Sequence, residues 1–272
     1  SNKTIIVTGN LTNAEGETGT ISIGTTSGTG ILDVNGNINS SGTLNIDLVS
    51  SGIGASEIRV SGTFSPSTLD CSTTSTVLFD GTGTQNIPSF TYHHLTISNS
   101  DKTTIGELAI NGNLTVANNS LDLGIDFTHV VSGNVTNVGT IYMNTSTLDV
   151  DDDFNGTSGT IDFQNTTGKL KYSGTATIIF GALNEANGTI VFDGTDQTIP
   201  AESYYYLELT PTSVTTHTLG GNITVAKNLT IGVNDTLDVS ASNYNITIGG
   251  NFTKNGSFTS YRGTPAVRTA IV

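Results

Sequence analysis

The chain is poor in charge: only 12% of its 272 residues are Asp, Glu, Lys or Arg. That is about half the usual share for a soluble domain. Its polar surface must therefore be built from Thr, Ser, Asn and Gly, a composition that suits short strands and tight turns and starves helices. Basic residues are the scarcest charge, 9 against 23 acids, for a net charge of −14. Such a surface repels duplex nucleic acid and anionic membranes, so nucleic-acid binding is not expected. A single cysteine, Cys71, excludes an internal disulfide, and a lone thiol of this kind reads as a small buried hydrophobe. No apolar run approaches the ~18 residues of a membrane helix, so no membrane insertion is expected. No dozen-residue segment carries helical periodicity; the best stretch, Gly181 to Asn187, is short and ends at Gly188.

What the chain does have is self-similarity. Val77-Leu78-Phe79-Asp80-Gly81-Thr82 returns as Ile190-Val191-Phe192-Asp193-Gly194-Thr195. Each copy is followed by Gln-x-Ile-Pro, at Gln85 to Pro88 and again at Gln197 to Pro200. An aromatic-rich strand comes next, Tyr92-His93-His94-Leu95-Thr96-Ile97 or Tyr204-Tyr205-Tyr206-Leu207-Glu208-Leu209. Further matches, such as Leu32-Asp33-Val34 with Leu148-Asp149-Val150, set a period of about 115 residues. Inside each copy a shorter phrase recurs, Gly-Asn-apolar-Thr, at Gly9, Gly112, Gly133, Gly221 and Gly250. Between these lie period-two runs such as Thr43-Leu44-Asn45-Ile46-Asp47-Leu48, with apolar residues on one face and Thr, Asn or Ser on the other. Gly-Asn dipeptides punctuate them as corners, where positive φ is tolerated.

Short strands, sharp corners and an ordered repeat predict an all-β parallel β-solenoid (β-helix) spanning residues 1–272 with no domain boundary. Like residues then stack on like, which accounts for recurring phrases and Thr/Asn ladders. Rungs of about 20–28 residues give roughly ten to twelve turns. The alternative is a pair of tandem β-sandwiches, which also accommodates the long period but calls for hairpin spacing and a linker.

The phrase Phe-Asp-Gly-Thr…Gln-x-Ile-Pro, the aromatic strand, and Gly-Asn-Leu/Ile-Thr-Val together resemble repeats of large bacterial surface and secreted β-solenoid proteins, filamentous-haemagglutinin-like adhesins among them. The resemblance covers most of the chain and implies an exported, extended, adhesive or filament-forming protein at the cell surface or outside it. It brings no functional residue with it.

Candidate sites are few. Asp149-Val150-Asp151-Asp152-Asp153 is the densest charge cluster, and Asp149, Asp151 and Asp153 are the candidate ligands of a calcium ion, the one possible cofactor. The matching Asp33-Val34-Asn35-Gly36-Asn37 reads as a corner, so an acidic turn is the simpler account. His93 and His94 are adjacent, and strand alternation sends neighbours to opposite faces, so they are not expected to share a metal. Tyr204, Tyr205 and Tyr206 are candidates for stacking on glycan rings, with at least one of them turned to the core. Asn-x-Ser/Thr sequons are numerous, including Asn10, Asn113, Asn134, Asn144, Asn222 and Asn251. No nucleophile elbow, zinc helix or phosphate loop is present, and no region concentrates convergent acids and bases, so no enzyme is expected; the alternative function is a carbohydrate-binding or polysaccharide-degrading β-helix protein.

A solenoid exposes strand edges at its tips. The segment 264–272 reads as an extended strand, with Val267, Thr269, Ile271 and Val272 as the candidate assembly strand. The expected partner is a second copy of the chain, joined head to tail in a contact that does not close.

Overall fold

The computed structural model describes residues 2–24, 28–48 and 54–260. Those residues form a parallel β-solenoid of about 11 turns, without a helix. At the β-ladder spacing the rod is about 50 Å long. Tandem sandwiches require antiparallel hairpins, whereas each strand here pairs in parallel with the equivalent strand of the next turn.

A turn consists of up to three short strands separated by corners. One side is an eight-stranded sheet running from Lys3–Val7 to Phe154–Asn155. A second carries a six-stranded sheet from Gln85–Ile87 to Ala182–Asn184. A third carries a nine-stranded sheet from Thr91–Tyr92 to Phe252–Lys254. Smaller three- and four-stranded sheets complete the first and last turns.

Alternation along each strand supplies the core. Thr29–Val34, Thr43–Leu48 and Ala55–Val60 each bury every second residue. In-register pairing turns this into axial columns: Leu32, Ile58, Val77, Leu95, Leu114, Val135 and Phe154 lie one above another, all buried. On another side Val150, Tyr172, Phe192, Leu209 and Ile231 form a second column. Each fully buried aliphatic or aromatic residue contributes about 1.5–3 kcal/mol, and only neighbouring turns can bury it. The outward positions form the expected hydroxyl ladders, such as Thr96, Thr115 and Thr136.

The repeated Gly-Asn corners work differently from the expectation. Gly36, Gly133 and Gly250 are not among the positive-φ residues, nor is Gly62 at the Gly-Thr corner stacked on Gly36. Glycine is needed because the turn below is too close: a Cβ on Gly133 would lie 2.6 Å from the Gly112 carbonyl oxygen, and one on Gly36 equally near that of Gly9. The asparagine then ties the turns together. Asn10 Oδ1 accepts the N–H of Asn37, whose own Oδ1 accepts the N–H of Thr63. Positive φ is found at other corners, at Asn99, Asn119 and Asn144 among others.

The long repeat is also out of phase with the turns. Val77-Leu78-Phe79 belongs to the eight-stranded sheet, but its copy Ile190-Val191-Phe192 belongs to the nine-stranded one. The same phrase therefore folds on a different side of the rod.

Candidate functional site

The Asp149–Asp153 segment is divided between two tasks. Asp149 points outward from the strand Thr147–Val150, and its carboxylate is 2.6 Å from Lys171 Nζ on the next turn. Lys171 also reaches Asp193 at 3.1 Å, and Lys169 beside it pairs with Glu208 at 3.0 Å. This lattice lies over Val191, an outward residue that is nevertheless only 2% exposed. Burial works against the Lys171 ammonium, but Asp149 and Asp193 outweigh it and raise its pKa above the usual lysine value. Asp151 and Asp152 are exposed at the corner. Asp153 takes an asparagine's place in a corner ladder: its N–H donates to Asn134 Oδ1 and its Oδ1 accepts the N–H of Ala176, both at 3.1 Å. The structure thus ties Asp149 to Lys171 and Asp153 to the backbone. Among the described residues no group of three or more His, Cys, Asp or Glu is placed to hold a metal ion.

The aromatic phrases form the same corner in both copies. Tyr92 and Tyr204 are fully buried, and each hydroxyl donates to a proline carbonyl four residues earlier, Pro88 at 2.8 Å and Pro200 at 2.9 Å. Tyr204 is therefore a core residue. The next residue sits at the corner between two strands, where alternation does not apply. His93 and His94 consequently pack against each other, ring centroids 4.4 Å apart, rather than facing opposite ways. Tyr205 and Tyr206 do the same at 4.9 Å, with Lys227 Nζ 5.8 Å from the Tyr205 ring centre. Both tyrosines are partly exposed. The His94 ring nitrogen Nδ1 is the first acceptor of the ladder that continues through Asn113, Asn134 and Asp153.

Cys71 is half-buried, and burial pushes its thiol above the ordinary range, away from reactive thiolate. The candidate assembly residues Val267, Thr269, Ile271 and Val272 lie outside the described residues.

The sequence reading missed the buried polar groups. Gln85 accepts the N–H of Gly81 at 2.9 Å and donates to the carbonyls of Val60 and Gly62, stapling its own corner to the turn below. Gln197 repeats this with Gly194, Tyr172 and Gly174. This is the task of glutamine in the repeated Gln-x-Ile-Pro phrase. Stacked on Gln85 is Lys102, 0% exposed, its ammonium held by Gly81 O, Ser100 O and Ser100 Oγ. Burial lowers its pKa, with Asp101 and Asp80 pulling the other way. His129 is buried between the Leu108 N–H and the Leu123 carbonyl. The signal for both was a polar residue at an inward position of a period-two strand.

No family model matches the chain, and no curated protein and no solved structure matches it significantly.

Proposed function

We propose that the chain is a structural component of an extracellular or cell-surface assembly, a stiff adhesin stalk or filament subunit that joins others end to end. The observation that supports this most is the continuity of the stack. The Leu32-to-Phe154 column runs from turn to turn with apolar residues alone, and the buried polar groups beside it are bonded to corners and to one another rather than opened to a cleft. Most charged side chains near the densest acidic stretch are engaged in ion pairs or backbone bonds along the rod axis. That arrangement spends polar groups on stiffness rather than on a reacting centre.

End-to-end joining draws support from strands that carry a partner on one side. Among the described residues Lys3–Val7 pairs only with Thr29–Val34, and its Ile5 and Ile6 are 65% and 61% exposed. Among the described residues Ile246–Ile248 and Phe252–Lys254 also have a strand partner on one side only. Edges of this kind accept another strand. Electron microscopy of the purified protein tests the reading. Rods longer than one chain are expected, reduced to single rods by Ile5→Asp with Ile6→Asp or by deleting residues after Gly263. Single rods in the unaltered protein, or long ones unchanged by both alterations, sink it.

A second reading, a glycan-binding side surface, is favoured by one observation: the partly exposed Tyr205–Tyr206 pair beside Lys227. Aromatic rings of this kind stack on sugar rings. Glycan-array binding lost on Tyr205→Ala with Tyr206→Ala would support it, and no binding by the unaltered protein would dismiss it.

A further inference from the structure

The buried side chains running from Gln197 to Asp235 require a proton that their formal charges do not supply. Gln197 has only one possible orientation. Its Oε1 accepts the N–H of Gly194 at 3.0 Å, and its Nε2 donates to Tyr172 O and Gly174 O, both at 2.9 Å. A reversed amide would set hydrogens against the Gly194 N–H and an oxygen against two carbonyls. His217, on the next turn and fully buried, places Nε2 2.9 Å from that same Oε1. The oxygen has no hydrogen to give, so Nε2–H must donate. The other ring nitrogen, Nδ1, lies 2.7 Å from Asp235 Oδ1, and Asp235 is 2% exposed. A neutral ring protonated at Nε2 has a bare lone pair at Nδ1, which would face an anionic oxygen at hydrogen-bond distance.

We propose that His217 and Asp235 share one proton beyond the neutral-histidine, ionised-aspartate state, and that this proton locks an axial clamp across four successive turns. The clamp runs from the Tyr172–Gly174 corner through Gln197 and His217 to Asp235. Imidazolium with carboxylate, or neutral imidazole with carboxylic acid, both satisfy every bond in it. The groups facing the ring do not oppose the proton. They are Phe192, with its ring centre 6.3 Å away, Leu237 in register on the next strand, and Asp235 itself; Asp196 and Asp238 lie on the flanking segments. Asp196 is occupied by the Thr215 hydroxyl.

The first copy of the repeat supplies an internal contrast. Gln85 is oriented identically, but the residue stacked on it is Lys102, whose ammonium is bonded to carbonyls and a hydroxyl with no carboxylate. One staple is topped by a lysine ammonium and the other by a proton held between two side chains.

Proton linkage measures the extra proton. Above pH ~6.5 histidine in the unfolded chain is neutral, so folding must take up one proton. Stability then falls as pH rises, the folding constant dropping about tenfold per pH unit while the native pair stays protonated. Asp235→Asn replaces the need, because its amide can donate to Nδ1. The expected result is a pH slope between 7 and 8.5 that is one proton steeper in the wild type than in Asp235→Asn or, if that variant fails to fold, in His217→Gln. In ring-nitrogen NMR of the wild type at pH 7, His217 should be protonated on both nitrogens, or on Nε2 alone with Asp235 protonated. Equal slopes, or a bare Nδ1 beside an ionised Asp235, overturn the proposal.

Discussion

The side-chain oxygen of Asn113 accepts the backbone N–H of Asn134 at 3.0 Å, one turn further along the rod. The bond makes the asparagine of each Gly-Asn corner a tie between turns, and Gly133 is the residue that lets the corners approach. Asn113→Ala should cost about 0.5–1.5 kcal/mol, the net worth of one partly exposed hydrogen bond. Gly133→Ala should cost more, about 1–3 kcal/mol, because its methyl would lie 2.6 Å from Gly112 O and from Asn113 Oδ1. Urea denaturation of the two variants checks the order. A harmless Gly133→Ala would show that the corners are not in close contact.

Gln197→Leu should be among the most damaging single changes in the chain. It leaves the Gly194 N–H, the Gly174 carbonyl and His217 Nε2 without their partner inside the core, while the Tyr172 carbonyl keeps the N–H of Asp193. Each orphaned buried group costs about 1–3 kcal/mol. Gln85→Leu should behave alike, since its three bonds are the same in kind. Melting temperatures that barely move in either variant would contradict the staple.

The fold was legible because solenoid stacking turns period-two strands and Gly-Asn corners into visible repetition. What stayed hidden depends on which residue sits over which. Nothing in the sequence shows that Asp149 pairs with Lys171, because only register puts that lysine on the next turn above it. His93 and His94 look divergent until a corner is seen to fall between Thr91–Tyr92 and His94–Ile97. The out-of-phase copies could not be inferred from the phrase Phe-Asp-Gly-Thr, because any side of the rod accepts the same apolar alternation. Buried Lys102, His129 and His217 sit at inward strand positions, but each depends on a partner from another turn, Gly81 O, the Leu108 N–H and Gln197 Oε1 respectively.

Calcium should leave the melting temperature unchanged. Asp149 is engaged by Lys171, and Asp153 serves as a ladder acceptor. Asp151→Asn with Asp153→Asn is the informative variant, since an amide keeps the acceptor for Ala176 while removing the charge. A calcium-dependent rise of several degrees, absent in that variant, would establish the cation site instead.

Lys171→Met should cost about 1 kcal/mol at low salt and less in 1 M salt. The ammonium separates Asp149 from Asp193, at 2.6 and 3.1 Å, and is partly solvated, which limits its worth. An identical loss at both salt concentrations would assign the effect to packing over Val191 rather than to charge.

Acid should weaken the rod through His129. Its Nδ1 accepts from the Leu108 N–H at 3.1 Å and its Nε2 faces the Leu123 carbonyl at 2.9 Å, so the ring is neutral with hydrogen on Nε2. Burial lowers its pKa below the usual 6.5, with the Leu123 carbonyl and Glu107 pulling it back only in part. A folded-state value below the unfolded one means that the unfolded chain binds the proton first. The associated stability is therefore present above pH ~6.5 and lost as pH falls below it, by up to about 1.4 kcal/mol per unit. His129→Gln removes the titrating group. Denaturation at pH 7.5 and 5.0 should show the wild type losing more stability than the variant. Equal losses would mean that His129 accepts the proton without breaking its contact to Leu108.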